Sequence, residues 1–237
     1  MVYGDARIPY EVKVDTNRST RVAIHVNPDG SVSVDAPPDF QEDAIKIAVQ
    51  KRARWITTHV TEAVQRFAHV HPREYVSGEQ VLYLGRRYML KVVSSETPRK
   101  TAKLRGNRLE VESRSDNPED IRGRVRAWYR MRAHDYLAYR LKDLTARLAW
   151  VESVPSFRLL EMSRQWGSCS PGGKLILNPH LVKTPRACVD YVLIHELAHL
   201  KHHNHSAGFF KLLETEMADW RQHKQTLDSM VEVVMNS

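Results

Sequence analysis

The chain predicts an α+β protein in two lobes, and three observations carry that prediction. Its first part alternates apolar and polar residues with the two-residue period of half-buried strands. Its second part spaces apolar residues at a helical period, and one apolar helix there carries an H-E-x-x-H run. The expected lobes are a strand-rich N-terminal one with one long helix over residues 1–116, and a compact one with a small sheet and the H-E-x-x-H helix over residues 117–237. With 237 residues, 42% of them hydrophobic, the chain has enough apolar side chains for one large core or two small ones.

Residues 10–14, 21–26 and 31–36 alternate as strands. Asn27, Pro28, Asp29 and Gly30 join the last two as a hairpin turn, Pro28 fixing φ and Gly30 accepting the left-handed conformation. Pro37 and Pro38 end that sheet, and a single helix is expected over residues 39–70 with Trp55 and Ile56 on its apolar side. Further strands are expected at residues 80–85 and 88–93, and the polar stretch 112–120 reads as a connector.

Beyond the connector, Val125, Trp128, Tyr129, Tyr136, Leu137, Leu141, Leu144 and Leu148 follow a helical period. Between Arg122 and Arg147 seven Arg and one Lys oppose only Asp135 and Asp143, so this amphipathic helix has a basic outer face. Strands are expected near residues 156–160 and 174–177. Thr184 and Pro185 form a helix start, with Thr184 as N-cap. After His205, Ser206 can cap a last helix carrying Phe209, Phe210, Leu213, Met217 and Trp220, aromatics expected to serve packing. There is no internal repeat or low-complexity tract.

The chemistry concentrates at residues 191–206. His195 and His199 lie one helical turn apart on one face, where a single tetrahedral ion can take both, and Glu196 can reach a metal-activated water as general base. Val192, Leu193, Ile194, Leu197, Ala198 and Leu200 make the helix apolar on most sides, and buried imidazoles without a partner are costly. A third ligand is needed. His202 is i+7 from His195, about 10 Å along the axis, too far for one ion. His205 can reach if the helix stops and turns back, for which Asn204 would supply a left-handed residue. His202 and His203 are left to a solvated last turn. The spacing matches metzincins, but His202 stands where that signature has Gly.

Other classes are less well supported. Residues 167–174 imitate a phosphate loop, but Lys174 comes one residue late, Leu175 replaces Ser or Thr, and a strand follows. No run approaches about 18 apolar residues, which excludes a membrane-spanning helix, and the N-terminus lacks a signal-peptide pattern. Cys169 and Cys188 form no disulfide framework, and a cytoplasmic location is expected. The net charge of +8 and pI near 9.5 permit a polyanionic partner, with nucleic acid possible through the basic helix 122–147.

Several motifs together carry a family resemblance: the hairpin ending at Val34, Asp35, Ala36 and Pro37; Trp55 and Ile56; Tyr83, Leu84, Gly85 and Arg86; Trp128, Tyr129 and Arg130; Trp166, Gly167, Ser168, Cys169 and Ser170; and His195, Glu196, His199, Asn204, His205 and Ser206. Over nearly its whole length the chain resembles the YgjP-like metallopeptidases, relatives of the WLM and SprT-like zinc proteases. The resemblance implies a zincin-like second lobe, zinc as cofactor on His195, His199 and His205, Glu196 as catalytic base, and a protein or peptide substrate. It also implies an edge strand beside the active-site helix, for which Trp166, Gly167, Ser168 and Cys169 are the substrate-binding candidates. Two positions depart from the family pattern: Gln165 separates Arg164 from Trp166, and Phe209 with Phe210 stands where many members have Phe-Trp. The leading expectation is a zinc-dependent metallopeptidase. Its alternatives are a metal-dependent nucleotide phosphohydrolase and a nucleic-acid-associated protease or binding module, with Arg122, Arg126 and Arg130 as contacts.

Overall fold

A computed structural model describes residues 1–4, 6–14, 22–26, 30–67, 73–99, 101–162 and 165–230. It is a mixed α+β protein with several small sheets and six α-helices among these residues. The chain divides into two compact units, Met1–His71 and Pro72–Ser237. Residues 73–116, expected to belong to the first lobe, thus lie in the second.

In the first unit, β1 (Val2–Tyr3) pairs with β2 (Ala6–Arg7). Strands β3 (Glu11–Val14), β4 (Ala23–Val26) and β5 (Val32–Ala36) form a sheet in the order β3-β5-β4. β4 and β5 make the expected antiparallel pair, Val26 opposite Val32, while residues 27–29 of its turn fall outside the described residues. Val32, Val34 and Ala36 alternate inward onto Ile45, Val49 and Ile56. The single helix expected over residues 39–70 is two, α1 (Glu42–Lys51) and α2 (Ala53–Phe67), and residues 68–70 lie outside the described residues. Arg52 breaks it: its amide bonds the carbonyl of Val49 at i−3 and its backbone leaves the helix at φ −103°, ψ 9°. Buried Ile45, Val49, Ala53, Ile56 and Ala63 run at helical spacing through the break, which is why periodicity does not reveal it.

The second unit opens with β6 (Gln80–Tyr83), β7 (Arg86–Ser94), β8 (Lys103–Arg105) and β9 (Arg108–Ser113), ordered β6-β7-β9-β8. β8 and most of β9 occupy residues for which the sequence predicted no element, and β9 takes residues 112 and 113 from the expected connector. The alternation of Leu104 with Leu109 and Val111 around the turn at Gly106 and Asn107 was their signal. Helix α3 (Pro118–Arg147) starts where its cap dictates: the Asn117 side chain accepts from the Glu119 amide at 3.0 Å and Pro118 occupies the first turn. It buries Ile121, Val125, Trp128, Tyr129, Ala133, Leu137, Leu141 and Leu144, the larger of these contributing about 1.5–3 kcal/mol each. Its basic face is largely neutralised internally. Arg122 pairs with Glu119, Arg124 with Asp120, Arg126 with Glu161, Arg140 with Asp143 and Asp190, and Arg147 with Asp143.

Strands β10 (Phe157–Leu159), β11 (Gly167–Cys169) and β12 (Leu175–Leu177) form the small sheet in the order β10-β12-β11, leaving β11 at an edge and antiparallel to β12. A short 3-10 helix (Pro179–Lys183) leads into α4 (Arg186–Ala198), followed by α5 (Ala207–Glu216) and α6 (Trp220–Ser229). Thr184 does not cap α4. It closes the 3-10 helix instead, its hydroxyl donating to the carbonyl of Leu181 at 2.8 Å, and Pro185 holds the cap position. The β6–β7 turn braces this junction, with the amide of Leu84 on the carbonyl of Val182 at 2.7 Å. The single last helix is also two, because Met217 leaves helical geometry at φ −153°, ψ 88° between α5 and α6. No helix among the described residues is long and apolar enough to cross a membrane.

Candidate metal centre

α4 is apolar because it is packed nearly all round: Val189, Leu193, Leu197 and Ala198 are fully buried. The exception is the stripe that carries His195, Glu196 and, at the C-cap, His199. The helix ends there. The amides of Leu200 and Lys201 bond i−3 carbonyls, that of His202 returns to Ala198, and the chain swings back to His205 before Ser206 caps α5, accepting from the amide of Phe209 at 3.4 Å. Asn204 takes no part in this as a left-handed residue: among the described non-glycine residues, positive φ occurs only at Tyr75 and Leu84. The reversal uses tightened helical bonds instead.

This turn brings ring nitrogens of His195, His199 and His205 within 4.8 Å of one another. His205 Nε2 lies 3.1 Å from His195 Nε2. His199 Nδ1 is 3.0 Å from the carbonyl oxygen of His202, which can only accept, so Nδ1 carries the proton and the lone pair of Nε2 is free to bind a ligand. Burial holds His195 down to about 4, with the neighbouring His199 and His205 adding to the effect, and burial likewise lowers His205. Imidazoles with converging nitrogens suit a borderline transition ion. A tetrahedral zinc with Zn–N of 2.0–2.1 Å would set its nitrogens roughly 3.3 Å apart, close to the 3.1 Å between His195 and His205 and inside the 4.8 Å that bounds all three. The donor set fits such an ion. His195 Nδ1 is buried without a hydrogen-bond partner among the described residues.

Phe209, fully buried, forms the floor of the cluster, its ring centroid 4.9, 4.7 and 4.8 Å from those of His195, His199 and His205. Sequence reasoning assigned it to packing in general. Its i+4 spacing from His205, directly after a cap, was the available signal for this placement. Tyr191 meets His195 edge-on at 5.9 Å. The carbonyl of His202, which orients His199, could not have been found from residue identity at all.

Glu196 is 5% exposed, and burial pushes its carboxyl up to about 7. β11 lies against it. A Cβ on Gly167 would fall 2.8 Å from both Cγ and Oε1 of Glu196, so only glycine lets the strand approach this closely. Trp166, Gly167, Ser168 and Cys169 line a cleft of about 370 Å³ together with the three histidines and Glu196, and Lys224, Leu227 and Asp228 of α6 form part of its wall. Burial and the nearby Glu196 raise the Cys169 thiol above its usual range, which keeps it uncharged. His203 also lines the cleft. Arg164 lies outside the described residues.

A family model described as YgjP-like, metallopeptidase domain, matches residues 20–230. No curated protein matches the chain. Among solved structures, the crystal structure of the metallopeptidase zymogen of Pyrococcus abyssi abylysin is 25% identical, over 40% of this chain and 87% of that one, with a TM-score of 0.32.

Proposed function

Because this chain belongs to the YgjP-like metallopeptidase family, we propose that it hydrolyses peptide bonds with zinc held by His195, His199 and His205 and with Glu196 as general base. The observation that carries this reading is the convergence of three imidazoles beside a buried carboxyl group in one open cleft. The zincin-like arrangement of an H-E-x-x-H helix beside an edge strand belongs to the same proposal. Zinc, when bound, supplies a Lewis acid for the scissile carbonyl and acidifies water.

The remaining work falls to this chain's own side chains. Glu196 takes the proton of the attacking water and delivers it to the leaving amine. Its raised pKa places it near neutrality, where a carboxylate both accepts and returns a proton readily. The free edge of β11 can accept an extended peptide as an added strand, which would lay the scissile bond along the cleft beside Glu196. The fixed tautomer of His199 keeps its Nε2 aimed at the cluster without reorganisation.

The test is a cleavage screen over peptides and unfolded proteins with purified wild type and Glu196→Gln, beside metal content by elemental analysis. About one zinc per chain in both proteins, with cleavage in wild type alone, is the expected result. Nucleoside triphosphates form the control arm. Hydrolysis of these with inert peptides would move the same site to phosphoryl chemistry and overturn the peptidase reading.

A further inference from the structure

The first unit carries an open groove of about 770 Å³. It is lined by Val22, Ala23 and Ile24 at β4, by Phe40, and by Lys51, Arg52 and Trp55 at the break between α1 and α2. Successive residues of an extended chain point to opposite faces of a sheet, so a groove touching residues 22, 23 and 24 in turn runs along the strand's edge and not over one face. That edge is open. β4 lies outermost in the order β3-β5-β4, and among the described residues its backbone bonds only that of β5.

The lining says what the groove can take. Val22, Ile24 and Phe40 are half-buried and pack against the core of the first unit, while Trp55 keeps 38% of its surface exposed. The helices that cover the sheet thus also wall its edge, and the groove is the space that the inward side chains of a fourth strand would fill. The polar part of the lining is cationic. Lys51 and Arg52 are exposed, form no ion pair among the described residues, and share the lining with no carboxylate. The opposite edge of the sheet is guarded by charge, since β3 carries Glu11 and Lys13, 3.3 Å apart. β4 reads Ala-Ile-His-Val, with neither Lys nor Pro, and its His25 is engaged with Asp35 of the neighbouring β5 at 3.0 Å.

We infer that this groove docks an extended segment of another protein, one with alternating apolar residues flanked by acidic ones, which adds to β4 as a fourth strand. Backbone bonds to the open edge hold the segment, the groove selects apolar side chains on the face turned to α1 and α2, and Lys51 and Arg52 select carboxylates. A single-stranded nucleic acid matches the site less well. Its backbone has no alternating row of donors and acceptors to meet a strand edge, and the one tryptophan of the lining already lies against His59, ring centroids 4.5 Å apart. The inference concerns the first unit alone and stands apart from the hydrolysis proposed for the second.

The experiment is fluorescence anisotropy with the full chain carrying Glu196→Gln, so that cleavage does not consume the probe, and a fluorescein-labelled peptide, Asp-Glu-Val-Thr-Phe-Thr-Val-Glu-Asp. Saturable binding is expected, weakened about tenfold by Trp55→Ala, by Lys51→Glu combined with Arg52→Glu, and by lysines in place of the peptide's acids. A strand pairs with one neighbour through every second amide. Methylating one alternate set of peptide nitrogens should therefore cost at least about tenfold, and methylating the other set should cost little. These peptides leave the protein unchanged, so they decide the matter even should the variants fold poorly. No binding, or equal losses for the two methylated peptides, overturns the proposal. Undiminished binding by folded groove variants also overturns it, placing the peptide elsewhere, as at the free edge of β11. Displacement of the probe by oligodeoxythymidylate would reassign the groove to nucleic acid, and a dimer in sedimentation that Trp55→Ala abolishes would reassign it to a second copy. Either result overturns the proposal.

Discussion

In the histidine cleft, three imidazoles bring ring nitrogens within 4.8 Å of one another, and about 370 Å³ of space lies open beside them. In a second cavity of the same unit, at Lys183, Tyr75, His180 and Lys183 are among the residues that line about 10 Å³. Both are polar regions embedded in the apolar core of one unit, and both depress the pKa of a histidine to about 4 by burial. They differ in the residue types that line them and in the room left between those residues. The first leaves open space beside its imidazoles, whereas the second has room for about one water-sized species. Buried polarity alone therefore says little about function; the residue types and the free volume decide what a polar region can admit.

The comparison breaks most readily at Glu196. Glu196→Gln is expected to lower kcat on a peptide substrate by about 10²–10⁴-fold while leaving zinc content at the wild-type level. A rate that survives the substitution would deprive the cleft of its catalytic distinction. Next comes His205→Ala, which should weaken zinc affinity by at least about 100-fold in competition with a chromogenic chelator. Retention of the ion at wild-type affinity would show that this exposed ring is no ligand.

A smaller effect is expected from Gly167→Ala. The added methyl must displace the Glu196 carboxylate, so kcat should fall roughly 10- to 100-fold with zinc retained. Unchanged turnover would mean that the close approach of β11 has no bearing on the base.

The smallest change concerns the other region. Folded Lys183 releases its proton near 7 and the unfolded chain keeps one to 10.5, so the unfolded state binds more protons between those values and stability rises with pH across that window. Wild type should gain about 2 kcal/mol relative to Lys183→Met between pH 7 and pH 9, read from urea midpoints. Parallel pH profiles would show that Lys183 stays charged in the fold.

The two regions also differ in how far the sequence discloses them. The grouping of His195, His199 and His205 is legible because a helix repeat and one short reversal fix it, and both act over ten residues of chain. The mechanism of that reversal was less so, since tightened i−3 bonding replaced the left-handed Asn204. The edge strand at Gly167, Ser168 and Cys169 was implied by the family resemblance, and in the fold these residues pair locally with Leu175, Ile176 and Leu177. The Lys183 cavity draws on residues 73, 75, 126, 161, 180 and 183, which no periodicity relates. Thr184 misled for a related reason. Its residue type suits a helix cap, but a preceding 3-10 turn had already claimed its hydroxyl. The break at Arg52 left no mark because the core-facing spacing runs on unchanged across it.

The ring of His199 is steadied by a carbonyl that exists as a free acceptor only because α4 has already ended. Were the helix to continue about two turns further, the oxygen of His202 would be claimed by the amide of residue 206 and the ring would lose its anchor. Local order and a well-aimed imidazole are thus in competition here. A substitution that favours helix at positions 200–204 would firm up the backbone while loosening the cluster, so the most stable version of this segment would be a poorer host for the ion.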